Sequence, residues 1–528
     1  MGVDDGTRDG GEGDPGVPDG AGRNAAGVFW PAATITMVSA ASMALEIVAG
    51  RALAPYVGMS LYTWTIIIAV VLAGLSLGHW IGGRIADRRP WLTRIVAWSL
   101  SGAALTSFIS LGALQLTAPA LDSTDLVPHI TALAMVAFFV PSAFAGVLSP
   151  LLTVMALKAS ASERQGAVLG LMFALGALGA ILGTVLSGLV MISWLGTAGS
   201  VALIGAIYAL LSLRFWRQRA PQAAIITAGM LLLVAAWPGA LGLRSACSEE
   251  SPYFCIRVDD VASFDRPARV MVLDHLVHGV NDRADPRLLM SPYVQGVDEL
   301  VARRMPGQSL TAFFVGGGAF TLPRAWQASY PSGRFVIAEL DPAVTEVAQD
   351  ALWYDPGPQT EILHGDARRF LQALPEATRF DVIVGDAFHD ISIPSHLVTT
   401  EFAELVAARL NPGGLYVLNV VDALRAPRFM LSLANTLALT FPEVELWLDL
   451  EALGPTERRT TWIVLASEEP TGEEFLASSY GIEREWARVP LEAMVAAVGE
   501  EKLAVLTDDY APVDRLLASV LLNAEMDR

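Results

Sequence analysis

Three carboxylates in the C-terminal half, Glu339, Asp366 and Asp386, each stand at or just past the end of a short β-rich run. Ahead of them the run TAFFV passes directly into Gly316-Gly317-Gly318. In an open α/β sheet, ligands bind beyond the carboxyl ends of the strands, so these places face one crevice if the runs are neighbouring strands. Glycines there permit a tight turn and close approach of the backbone to a ligand. An acid ending the second strand, as Glu339 does in RFVIAEL, accepts hydrogen bonds from ribose hydroxyls. Each acid also has a plain structural use as a helix N-cap or a solvated loop charge, and Asp366 in HGDA has the cap position most clearly. A glycine run alone is more often just a turn. Three acids at successive strand ends behind one such turn point together to a nucleoside site. A dinucleotide site competes with this reading, but its G-x-G-x-x-G pattern is incomplete, because Thr321 holds the place of the third glycine. A nucleoside sulfonium has no pyrophosphate to cradle and does not need it.

The elements that must position these residues follow from the pattern. Strands near 310–316, 334–340, 359–363, 380–385 and 414–420 alternate with helices near 320–330, 342–353, 366–374, 398–410 and 427–440. Late strands at 443–449 and 461–467 complete a seven-stranded sheet. The alternation predicts an α/β doubly wound domain of the class I methyltransferase-like Rossmann kind over 309–528. Before it, 244–308 holds a small β lobe with strands over 253–277, then a linking helix over 286–305.

The first half is of a different kind. The chain has 528 residues, 53% hydrophobic and 17% charged, and its apolar excess lies before about Trp237. Residues 28–243 read as a multi-pass α-helical membrane domain with spans near 29–50, 61–83, 92–117, 127–157, 165–191, 197–216 and 222–241. A buried core helix would explain one such stretch, not seven in succession. Residues 1–27 are Gly- and Asp-rich and read as a disordered tail. Arg84, Arg88, Arg89, Arg94, Lys158, Arg164, Arg214, Arg217 and Arg219 all fall in the even-numbered loops or in the span ends beside them. The positive-inside rule then puts the N-terminus in the cytoplasm and, after seven crossings, the C-terminal domain outside the cell membrane. Cys247 and Cys255, the two cysteines, either close as a disulfide suited to that compartment or stand as two free thiols. Glu46 and His79 are ionisable groups within spans, where a structural pairing is the commoner use. GGRIADRR at 82–89 also resembles a loop motif of major facilitator transporters, although seven spans fall short of their usual twelve. The net charge of −19 argues against a nucleic-acid partner, since phosphate requires basic surface. No metal-ligand pattern is present.

Taken in order, SPYFCIRV, LDHLVHG, SPYVQ, VGGGAFTLPRA, IAELDP, HGDARRFL, FDVIVGDAF, IPSHLVTTEF, LNPGGLYVLNV and TDDYAPVDRLL resemble the spermidine synthase (polyamine aminopropyltransferase) family. The stretch from Leu45 to Arg88 is similar to its membrane-fused branch. The resemblance implies a transferase of polyamine biosynthesis with no prosthetic group. Its co-substrate would be S-adenosylmethionine or the decarboxylated form, and its partner a small amine or polyamine. A homo-oligomer stays open. By the same resemblance, Gly316, Gly317 and Gly318 form the donor loop, Glu339 the ribose acid, Asp366 the adenine-side acid and Asp386 the catalytic aspartate, with Tyr293 an active-site tyrosine. Gln295 would assist, and a second acid would fall around His389 or Asp390. The family loop reads Gly-Gly-Asp-Gly-Gly, whereas here the matching positions are Gly317, Gly318, Ala319, Phe320 and Thr321. A carboxylate there favours the decarboxylated donor and repels the intact one. Ala319 removes both effects and makes methyl transfer an alternative to aminopropyl transfer. A transporter or sensor with a non-catalytic nucleoside- or polyamine-binding domain is a third reading.

Overall fold

The computed structural model describes residues 20–87, 91–121, 126–216, 229, 245–261, 266–388, 391–452 and 459–521. The expected span at 222–241 lies outside the described residues except for residue 229, and so do His389 and Asp390.

Among the described residues, five helical runs are long and apolar enough to cross a membrane: Gly27–Val57, Leu61–Ala86, Leu92–Ala120, Leu126–Ala159 and Ser162–Trp216. The first belongs to helix α1 (Gly20–Val57), which starts inside the stretch read as a tail. Helices α2 (Leu61–Ala86) and α3 (Leu92–Thr117) follow. We label the fourth run α4; it stays helical through Pro141 and Pro150, with a π-helical turn at Met135–Phe139 just ahead of the first. The spans expected at 165–191 and 197–216 form one run, α5 (Gln165–Leu186), a π turn and α6 (Ile192–Trp216), interrupted where Gly196 takes φ +65°. Small residues set the packing distance. A Cβ on Gly179 or Gly183 would lie 2.1 Å from the carbonyl oxygens of Thr36 and Ala40, so α5 lies against α1 and runs parallel to it.

The bundle has two unlike ends. Gly27 meets Ala159, Arg214 stacks over Trp30, and Trp216 donates to Ser101 at 3.0 Å, so the start of α1, the end of α4 and the end of α6 share one end. At the other end, the last turns of α1 meet the C-terminal domain. Arg51 donates to the carbonyls of Tyr253 and Ser251 at 2.6 and 2.9 Å, and Glu250 accepts from Thr197 N at 2.6 Å. Trp216 and Ser245, the residues bounding the segment that contains 222–241, therefore stand at opposite ends of the bundle.

The lobe that follows is a four-stranded antiparallel sheet, β1 (Glu249–Glu250), β2 (Cys255–Asp260), β3 (Ala268–Leu273) and β4 (Leu276–Asp282). Cys247 and Cys255 are joined in a disulfide across its first turn. The linking helix α7 covers only Pro292–Arg304, not 286–305. Pro292 occupies its first turn, where a missing N–H costs nothing, and would break a helix that began earlier.

The α/β domain is built on β5 (Thr311–Val315), β6 (Arg334–Glu339), β7 (Thr360–His364), β8 (Phe380–Gly385), β9 (Leu410–Ala423), β10 (Glu443–Asp449) and β11 (Arg459–Ser467). The sheet order is β7-β6-β5-β8-β9-β11-β10, the first five strands parallel and the last two antiparallel. Seven strands were expected and the sheet has nine among the described residues, because β12 (Phe475–Ala477) and β13 (Glu485–Val489) extend it beyond β10. Helices α8 (Thr321–Ser329), α9 (Pro342–Ala351), α10 (Ala367–Ala373), α11 (Thr400–Arg409) and α12 (Arg428–Leu437) cross between or follow these strands. Both faces are covered by apolar clusters, as a parallel sheet requires.

Candidate active site

Because β5 lies between β6 and β8, their carboxyl ends open side by side. Asp386 N donates to Val315 O and Gly316 N to Ala338 O, both at 2.9 Å. Gly316 takes φ +96°, and a Cβ there would lie 2.5 Å from the Asp386 carbonyl oxygen. Only glycine fits this crossing of two strand ends.

Glu339 is 6% exposed, and both of its carboxylate oxygens accept backbone N–H groups. Oε2 accepts from Gly317 N at 2.8 Å and Gly318 N at 3.3 Å, and Oε1 accepts from Asp341 N at 3.0 Å. Burial pushes its pKa up, and the three amides pull against that. Asp366 caps α10, accepting from Arg369 N at 2.9 Å, while its second oxygen lies 2.7 Å from His396 Nε2. The cap reading of Asp366 thus describes one of its oxygens, and the carboxyl also lines the cleft. Beside it, Arg368 grips Asp508 through two bonds of 2.6 and 2.7 Å, which ties the TDDY segment to α10.

Asp386 accepts from Asn419 Nδ2 at 2.8 Å and from the Tyr293 hydroxyl at 3.1 Å. Burial raises the Asp386 pKa, and both bonds oppose the rise by favouring the carboxylate. Tyr293 is held well above its ordinary value, first by burial and then by the adjacent carboxylate, so its hydroxyl stays a donor.

Two cavities meet at this carboxylate. The larger, about 1100 Å³, holds Gly316, Gly318, Glu339, Asp366 and Asp386 on one side and Met59, Ser60, Leu61 and Trp64 of the bundle on the other. The smaller, about 670 Å³, is lined by Tyr293, Asn419, Asp449, Glu451 and Arg459 among others. His278, Asp386 and Phe388 line both. His275 and His278 are pushed down to about 4, chiefly by burial, so both are neutral near pH 7.

Glu339, Asp366, Asp386, Gly316 and Gly318 therefore share one cleft, Gly317 is bonded to Glu339 behind it, and Tyr293 joins from α7. Gln295 does not. Its amide donates to the carbonyls of Tyr480 and Ile482 and accepts from Arg484, on the side of α7 facing the β12–β13 hairpin. Ala319 is 1% exposed and packs against Gly279 of β4, so the place of the family's loop acid is turned into the core. Asn419 and His278 were not singled out by sequence reasoning; His278 sits in the quoted LDHLVHG run, and Asn419 in LNPGGLYVLNV carries no signal of its own.

No family model matches the chain. It is 33% identical over 106 residues to a polyamine aminopropyltransferase of Vibrio vulnificus, covering 20% of this chain and 36% of that one. To a probable polyamine aminopropyl transferase of Bifidobacterium longum it is 29% identical over 245 residues, covering 41% and 51%. The chain thus spans from about a third to about half of the length of these curated relatives. Among solved structures, a probable spermidine synthase from Corynebacterium glutamicum aligns with a TM-score of 0.41 at 22% identity, over 49% of this chain and 95% of that one. In sequence, the chain is therefore similar over part of its length to polyamine aminopropyltransferases.

Proposed function

We propose that the chain is a membrane-integrated transferase that moves an aminopropyl group from decarboxylated S-adenosylmethionine to an amine such as putrescine. One observation carries this reading: the glycine turn, Glu339, Asp366 and Asp386 open into a single cleft that continues past Asp386 into a second cavity. The donor's adenosine lies in the larger cavity with its ribose toward Glu339 and its base toward Asp366. The acceptor amine approaches through the smaller one, where Asp449 and Glu451 offer two carboxylates against the single guanidinium of Arg459. Its nitrogen lone pair forms the new N–C bond as the C–S bond breaks, and that electron pair stays on sulfur as a neutral thioether. Asp386 orients the amine and takes its proton, held ready by Asn419 and Tyr293. Most of the acceleration comes from aligning the two reactants away from water. Purified chain given decarboxylated donor and putrescine should form spermidine and methylthioadenosine; absence of both products over hours would defeat this version.

Methyl transfer from the intact cofactor is the second reading, favoured by Ala319, which leaves no loop acid to repel the methionine carboxylate. Its product would be S-adenosylhomocysteine.

Membrane integration is supported by the outside of the bundle, where Phe173, Leu189 and Trp194 are 70%, 73% and 83% exposed. Three Arg–Trp pairs, Arg84–Trp80, Arg94–Trp91 and Arg214–Trp30, sit at the end away from the α/β domain. Aromatic and basic residues gathered at one end match a cytoplasmic interface. The disulfide at the other end fits an oxidising compartment, so we place the N-terminus inside and the α/β domain outside.

A further inference from the structure

We infer that the helical bundle completes the donor site, and that Arg51 at the end of α1 is a positioning residue for it. The inference rests on the donor reading above. A line of buried groups runs from the bundle to the glycine turn. Arg51 donates to the carbonyls of Tyr253 and Ser251 at 2.6 and 2.9 Å. The Ser251 hydroxyl accepts from Tyr253 N at 3.0 Å and Phe254 N at 2.9 Å and donates to Asp341 Oδ2. Asp341 in turn caps α9 through Ala343 N at 3.1 Å and donates its own N–H to Glu339 Oε1 at 3.0 Å. Glu339 closes the line on Gly317 N at 2.8 Å.

Ser251, Asp341 and Arg51 are 3%, 1% and 9% exposed, so the Arg51–Ser251, Ser251–Asp341 and Asp341–Glu339 bonds are not readily exchanged for water. The segment they hold is itself wall: Pro252, Tyr253 and Phe254 line the larger cavity, opposite Trp64 of α2. The Arg51 guanidinium suits this place because its planar fork reaches two carbonyls at once, which a single ammonium does less well. A second tie, Glu250 to Thr197 N at 2.6 Å, fastens the start of the same segment to α6 beside the Gly196 break. An α/β domain folding by itself would need neither tie. Their joint effect is to make the shape of the donor cleft depend on the bundle.

The test uses full-length protein in lipid nanodiscs, with methylthioadenosine as the probe by calorimetry and donor and putrescine KM by turnover. Arg51→Gln and Ser251→Ala should each weaken methylthioadenosine about tenfold, or ~1.4 kcal/mol, and raise donor KM alike. The putrescine KM should stay within about twofold of wild type, and Arg51→Lys should fall between wild type and Arg51→Gln. Ser251→Ala leaves the bundle untouched and decides the matter should Arg51→Gln not fold. Methylthioadenosine affinity unchanged in Ser251→Ala, or donor and putrescine KM rising together, would overturn the inference. Wild-type protein that binds no methylthioadenosine would instead defeat the donor reading, and the inference with it.

Discussion

Asp386 is the residue on which the proposed chemistry turns, and its surroundings state what each change should do. Asp386→Asn keeps the shape but removes the proton acceptor, so kcat should fall by roughly 10²–10⁴. Methylthioadenosine affinity should change little, and a variant with wild-type kcat would remove the base role. Asn419→Ala removes a bond that favours the carboxylate while leaving the burial that opposes it. The Asp386 pKa should then rise further, and the acid limb of the kcat/KM profile should move to higher pH; a limb that stays or moves lower contradicts this. The acid itself was legible, because it ends the β-rich run FDVIVGD. Asn419 was not, because its partner is chosen by register, β9 lying beside β8 with Leu418 opposite Gly385. Gln295 was misread for the same kind of reason. Near Tyr293 in sequence, it points to the far side of α7, where Arg484 and two carbonyls occupy its amide.

At the scale of elements, the alternation of strands and helices was readable to within a few residues, since β-branched runs bounded by Gly, Asp and Pro recur at regular spacing. What escaped lay where local signal is weak. β12 has three residues and β13 five, too short for a period to declare itself, and they owe their place to pairing on β10. The helix expected from 286 starts at Pro292 because the proline tolerates only the first turn. Gly316→Ala would force a side chain into φ +96° and against the Asp386 carbonyl 2.5 Å away. We expect a loss of roughly 1–3 kcal/mol in stability, seen as a lower Tm, together with weaker methylthioadenosine binding. An alanine variant with unchanged melting would show that this turn is not strained.

On the scale of the whole molecule, the apolar stretches of the first half were visible as hydropathy alone, and which ends of them meet the α/β domain was not. That depends on contacts such as Arg51 with Ser251 and Gly179 with Thr36, which join residues far apart in sequence. The placement proposed for the two halves predicts the chemistry of Cys247 and Cys255. A membrane-impermeant maleimide applied to intact cells should label them only after a reductant; labelling that instead requires permeabilised cells would put the α/β domain inside. The account as a whole stands on the cleft holding an S-adenosyl-type nucleoside, and calorimetry of the full-length protein with methylthioadenosine tests that most directly. Saturable binding of one nucleoside per chain is predicted, with a Kd between about 1 μM and 1 mM, weakened about tenfold or more in Glu339→Gln. No heat of binding up to roughly 1 mM, a level at which even a weak site of about −4 kcal/mol fills by half, or binding indifferent to Glu339, would contradict it.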